Sequence, residues 1–146
     1  MEMEDCLQAG TLLRGGKYRI VKAIGQGGFG ITYKAKYRHE VQEAIGKMIV
    51  ESDVAIKEFF IKSECERADG SNAVTVPSKK KAGFIEDYRK KFFNEANNLS
   101  KFNHENIVKV IDIFEDDSVK SDVACAFDVY RHIVDKDAFL SFFIVA

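Results

Sequence analysis

Apolar and polar positions change period along this chain. Lys17 to Ile24, "KYRIVKAI", is rich in β-branched and aromatic residues and predicts a strand. Gly25 to Gly30 predicts a turn, and "ITYKAKY", Ile31 to Tyr37, alternates as a second strand. "VAIKEFF", Val54 to Phe60, predicts a third, with Val54, Ile56 and Glu58 on one face and Ala55, Lys57 and Phe59 on the other. The connection from Arg38 to Asp53 is long for a hairpin. Residues 61 to 82 are mostly polar, hold the only proline, Pro77, and read as a loop. A helix is predicted from Phe84 to Phe102, its apolar stripe running through Ile85, Tyr88, Phe92, Leu99 and Phe102 in steps of three and four. "NHENIVKVIDIF" then gives a turn at Asn103 to Asn106 and a fourth strand to Phe114. Three strands, a helix and a strand predict an α+β fold, an antiparallel sheet with one packed helix.

Composition narrows the function classes. At 146 residues, 46% apolar and 31% charged, the chain is expected to be a soluble domain with a real core. A formal net charge of −1 offers no overall field for nucleic acid or acidic lipid. Lys79-Lys80-Lys81 and Arg89-Lys90-Lys91 read as solvated faces. In the second, Glu86 and Asp87 stand four residues before Lys90 and Lys91, a favourable helical order. Cys6, Cys65 and Cys125 are scattered and odd in number, and His39, His104 and His132 lie apart from them, so no metal set emerges and reduced thiols are expected. "MEMEDCLQAG" lacks the apolar run of a secretory signal, and no stretch approaches about 18 apolar residues. Cytoplasm is the default location, with neither nucleic acid nor membrane as partner.

Two residues conflict with their own patterns. Between Phe92 and Leu99 the helical register places Glu95 inward, where a carboxylate costs several kcal/mol unless a cation meets it. Lys57, in the middle of an apolar strand, has the complementary problem. Either Glu95 leans to the edge of the stripe and reaches water, or the two residues form an ion pair.

The glycine run bears on this choice. A dinucleotide fold would place "GQGGFG" between a strand and a helix, but here the strand-like "ITYKAKY" follows it. Glycines in a hairpin let backbone N–H groups approach phosphate oxygens. "GQGGFG", "VAIK" and "FFNEANNLSKFNHENIVKV" resemble the glycine-rich loop, the third-strand motif, and the αC helix with its following turn and strand in the amino-terminal lobe of protein kinases, the bacterial serine/threonine type above all. The resemblance covers residues 13 to 116. Residues 1 to 12 then form an acidic, flexible tail and 117 to 146 a divergent segment. It implies that Gly25, Gln26, Gly27, Gly28, Phe29 and Gly30 cover the phosphates of ATP. Ile24, Thr32 and Ala55 would contact adenine, with Thr32 where the family usually has valine. Lys57 would pair with the α- and β-phosphates, and Glu95 would orient Lys57.

The resemblance also stops. The sequence holds no H-R-D, no D-F-G and no A-P-E, so the catalytic aspartate and the ligands for the metal of Mg-ATP are missing from these residues. "RHIVDKDAF" fits the catalytic loop in neither order nor spacing. "ACAFDVYRH" can be stretched onto a fifth strand and hinge, but a divergent or frame-shifted ending is the stronger expectation. Two functions follow. One is the ATP-binding lobe of a serine/threonine kinase, not competent alone and needing a second lobe to act on a protein substrate. The alternative is a non-enzymatic module that meets a protein partner through its αC face or the apolar tail "AFLSFFIVA", Ala138 to Ala146. That tail is expected either to fold back over the open side of the lobe or to drive self-association.

Overall fold

The computed structural model describes residues 5–67, 72–78, 82–104, 108–116 and 125–131. Its elements are β1 (Leu12–Leu13), a short 3-10 turn (Arg14–Gly16), β2 (Tyr18–Gln26), β3 (Gly30–Glu43), β4 (Gly46–Phe59), β5 (Glu66–Arg67), β6 (Val74–Thr75), α1 (Ala82–Ser100), β7 (Lys109–Asp116) and β8 (Cys125–Arg131). Six strands form one antiparallel sheet in the order β1-β2-β3-β4-β8-β7, and β5 and β6 pair separately. The α+β expectation holds: a curled antiparallel sheet carries one helix.

The curl follows from side chains shared between strands that are far apart in the sheet. Tyr18 of β2 stacks on Phe114 of β7 with ring centroids 5.7 Å apart, and its hydroxyl donates to Asp112 at 2.8 Å. Arg14 pairs with the same Asp112 at 2.8 Å. The face turned inward by this closure carries Ile20, Ile31, Tyr33, Ala35, Val54, Ile56, Phe127 and Val129, all buried. These positions alternate along their strands, as a half-buried pleat requires.

Several expected boundaries move. The first strand does not stop at Ile24. Pairing runs on through Gly25↔Thr32 and Gln26↔Ile31, leaving only residues 27–29 between the strands. Bulges before Lys22 and Gly25 absorb the extra residues. The second strand extends from Gly30 to Glu43, and the long connection is itself sheet. β3 and β4 pair without a break from Gly30↔Phe59 to Glu43↔Gly46, closing on two residues, Ala44 and Ile45. Gly46 has φ +129, a conformation open mainly to glycine. Beyond Tyr37 the ribbon stands clear of the body of the sheet, with Ile45, Met48 and Ile49 exposed.

The segment after β4 is more than a polar loop. Ile61, Cys65, Arg67, Val74 and Val76 are buried there. Nor are residues 5–12 a free tail. Leu7 is buried, its N–H donates to the Tyr33 hydroxyl at 3.0 Å, and Leu12 enters the sheet. The "CAFDVYR" stretch, which was expected to diverge, is β8, an interior strand paired with β4 on one side and with the edge strand β7 on the other. The Asn106 turn, Lys79-Lys80-Lys81, "RHIVDKDAF" beyond Arg131 and the tail from Ala138 to Ala146 lie outside the described residues. No helix among the described residues is long and apolar enough to cross a membrane.

Candidate functional site

The sheet face that bears α1 holds Thr32, Ala55, Lys57, Phe59, Asp128 and Tyr130, because each is a register partner of its neighbour: Thr32↔Lys57, Ala55↔Tyr130 and Lys57↔Asp128. The glycine hairpin folds over the end of this face. The Gly27 N–H donates to the Gly30 carbonyl at 2.9 Å, closing the turn. The N–H groups of Phe60 and Lys62 donate to the Phe29 and Gly28 carbonyls at 3.1 and 3.0 Å, tying the turn to the chain that leaves β4. Phe29, half exposed, stacks on Tyr88 of α1 at 4.7 Å between centroids. The loop is therefore held from two sides, by β4 and by the helix.

Gly30 is the point of closest approach. A Cβ built there would lie 2.9 Å from the Glu58 carbonyl oxygen and 3.3 and 3.7 Å from Cε and Cγ of Lys57. The stem of Lys57 thus runs beneath the start of β3, and only glycine leaves room for it. Gly27 and Gly28 have open space where a side chain would stand. The turn thus stands over the aliphatic stem of Lys57, with open space beside Gly27 and Gly28.

The helix register differs from the expected one. Ala96, not Glu95, occupies the inward position: Ile85, Phe92 and Ala96 are buried, Tyr88 and Leu99 partly so. Glu95 is exposed, and Phe102, beyond the helix, is 55% exposed. No ion pair within 4 Å joins Glu95 to Lys57, so Glu95 reaches water at the edge of the stripe. Arg89 pairs with Glu86 one turn earlier and with Glu115 of β7, in place of the expected four-residue pairs. These contacts tie the first half of α1 to the sheet.

The residues expected to contact adenine separate into two groups. Ile24 is half buried, whereas Thr32 and Ala55 are buried in this conformation. Ala55 and Tyr130 pack with Val110, and Ile24, Leu99 and Ile113 lean on them.

Sequence reasoning missed two acids with their surroundings. Asp128 lies on the same face as Lys57 and is 2% exposed. Burial pushes its carboxyl up to about 7, against the opposing effects of the Tyr130 hydrogen bond and of Lys57. On the opposite, inward face, Glu58 is fully buried and meets Arg67, whose Nη2 donates to Oε2 at 2.5 Å and Nη1 to Oε1 at 3.2 Å. The Tyr33 hydroxyl donates to Oε1 at 2.8 Å. Arg67 Nη1 also donates to the Asp5 carbonyl at 2.6 Å. Burial raises the Glu58 carboxyl, and Arg67 and Tyr33 oppose the rise. This network locks the amino-terminal segment and the β5–β6 hairpin onto β4, the strand that carries Lys57. The alternation of "VAIKEFF" put Glu58 on the face of Val54 and Ile56, but its burial went unread, and its arginine stands in an aperiodic segment.

No family model and no curated protein matches the sequence. Among solved structures the chain is similar to one described as PpkA-294 in its apo form, with a TM-score of 0.67 and 23% identity over 87% of this chain. The match spans 38% of that chain, well under half its length. At this identity the likeness shows the fold: a curled six-stranded sheet with one helix, as in a kinase amino-terminal lobe.

Proposed function

We propose that this chain is a nucleotide-binding lobe of the serine/threonine protein-kinase kind, holding the phosphates of ATP between the glycine turn and Lys57. The observation that carries the reading is the packing of Gly30 on the Lys57 stem, which brings this lysine against a hairpin with open glycine positions. Gly27, Gly28, Phe29 and Gly30 would line the phosphates, with Gly25 and Gln26 fixing the strand that leads into the turn. Ile24 would face the base. Thr32 and Ala55 are buried here and would join it only after the side chains packed over them shift. ATP supplies the transferable phosphoryl group. Binding is this chain's share of the chemistry, because its residues include neither the catalytic aspartate nor the metal-ligating motif of the family it resembles.

Calorimetry with ATP tests this reading. Lys57→Met keeps the stem and removes the charge, and should weaken binding about 10- to 100-fold, the worth of a charged hydrogen bond of roughly 1.5–3 kcal/mol. Equal affinity in the two proteins would overturn the reading. A second reading, a non-enzymatic module, is favoured by one observation: Glu95 is exposed and unpaired with Lys57, so the αC-like face offers a carboxylate to a partner. Absence of ATP binding by the intact chain would leave that second reading standing.

A further inference from the structure

The face that carries Lys57 also holds a buried acid that phosphate binding does not use. Asp128 of β8 stands directly opposite Lys57 of β4, so both side chains rise from the same face, with Cβ atoms roughly 4.5–5.5 Å apart. Oδ2 of Asp128 accepts from the Tyr130 hydroxyl at 3.2 Å. Oδ1 is buried with no hydrogen-bond partner among the described residues. An orphaned oxygen on a buried carboxylate is costly unless a proton or a cation satisfies it. The charged and titratable groups that face it are Lys57 from β4, Glu95 from α1 and Tyr130 from its own strand, while its register partner on β7, Ile113, is apolar. Of these, Lys57 alone carries positive charge.

We propose that Asp128 is a positioning residue for Lys57, a second carboxylate that draws the ammonium toward β8 in competition with Glu95 and with bound phosphate. This rests on the nucleotide-binding reading above. Ionised, Asp128 engages Lys57 and adds a negative charge beside the phosphates. Protonated, it removes the buried negative charge and frees Lys57 for the ligand. Glu95 has no ion pair with Lys57 in this structure, so the lysine is not already held by the helix. Because burial sets the Asp128 carboxyl at about 7, the exchange falls between pH 6 and pH 8.

ADP binding to the 146-residue chain is measured by calorimetry at pH 6 and pH 8. One added unit charge about 4 Å from a phosphate is worth about 1 kcal/mol in a water-like dielectric, or about fivefold in affinity. Wild-type affinity should therefore fall from pH 6 to pH 8 by about fivefold more than that of Asp128→Asn, which shows only the protonation of ADP itself. Adenosine, without phosphate, should bind alike at both pH values. Identical pH dependence of ADP binding in wild type and Asp128→Asn overturns the proposal. Carboxyl carbon NMR of Asp128 reads the same contact without nucleotide. Lys57→Met should raise the Asp128 midpoint by about half a pH unit or more, and Glu95→Gln should lower it. An Asp128 midpoint unmoved by Lys57→Met also overturns the proposal. Failure of ADP to bind at either pH refutes the nucleotide reading instead, and the NMR titration then decides the Asp128–Lys57 contact by itself.

Discussion

Gly30 lies against the side chain of Lys57, with its absent Cβ 3.3 Å from Lys57 Cε and 2.9 Å from the Glu58 carbonyl oxygen. The backbone atom cannot yield as a side chain would, so this glycine is set by packing. Gly30→Ala should destabilise the chain by about 1–3 kcal/mol, as over-packing does. Gly28→Ala, with open space at its Cβ, should change stability by less than about 1 kcal/mol. Urea unfolding of both variants checks the contrast, and equal losses would show that Gly30 has room to move.

Arg67 should be far less replaceable than its place in a polar segment suggests. Arg67→Met leaves the Glu58 carboxylate buried without its cation and should cost about 3–5 kcal/mol at pH 7. Glu58→Leu combined with Arg67→Met should recover most of that loss, since an apolar pair of similar volume escapes the desolvation penalty. Tyr33→Phe should cost about 1–3 kcal/mol, because the buried Leu7 N–H loses its acceptor. A double variant no more stable than Arg67→Met would contradict this view of the network.

Asp128 gives the folded chain a pH dependence of known sign. Below about pH 4 its carboxyl is protonated in both the folded and unfolded states. From there to about 7 the unfolded chain releases the proton while the folded chain keeps it, so stability falls as pH rises and then levels off. Three pH units correspond to at most about 4 kcal/mol. Asp128→Asn should lack this component, so its stability relative to wild type should rise between pH 4 and pH 8. Denaturant titrations at several pH values measure the difference, in which other titrating groups cancel. A constant difference across that range would show that Asp128 ionises normally.

The 146-residue chain alone should not transfer phosphate at a useful rate. Phosphoryl transfer depends on positioned metal ions and an aspartate that orients the hydroxyl, and this sequence lacks the motifs that supply them. Radiolabelled ATP with a generic protein substrate is the assay. Turnover of about 1–100 per second, abolished by Lys57→Met, would contradict the expectation.

The parts of this fold that the sequence reveals are those where one face meets core and the other meets water. The alternation of "VAIKEFF" and the helical stripe at Ile85 and Phe92 place β4 and α1 well. The stripe misleads at one step. From Phe92, three residues lead to Glu95 and four lead to Ala96, and an alanine is too small to announce itself as core. The ribbon from Arg38 to Glu51 escaped notice because solvent reaches both of its faces, so no apolar alternation marks it. Cross-strand pairing and the turn at Gly46 hold it instead. β8 was obscured by Asp128, a carboxylate in the middle of an otherwise apolar strand. The Glu58–Arg67 ion pair and the strand register that sets Asp128 opposite Lys57 are long-range relationships, and these leave no periodic trace. The glycine turn and Lys57 stood out in the sequence because their residue types are unusual where they stand.

Backbone amide NMR of the chain titrated with Mg-ATP tests the phosphate site most directly. Shift changes should concentrate at Gly27, Gly28, Phe29, Gly30 and Lys57 in the wild type, and Lys57→Met should abolish them at the same concentrations. Shifts confined to other strands, or shifts at the glycine turn that persist unchanged in Lys57→Met, would contradict a phosphate site between the turn and this lysine.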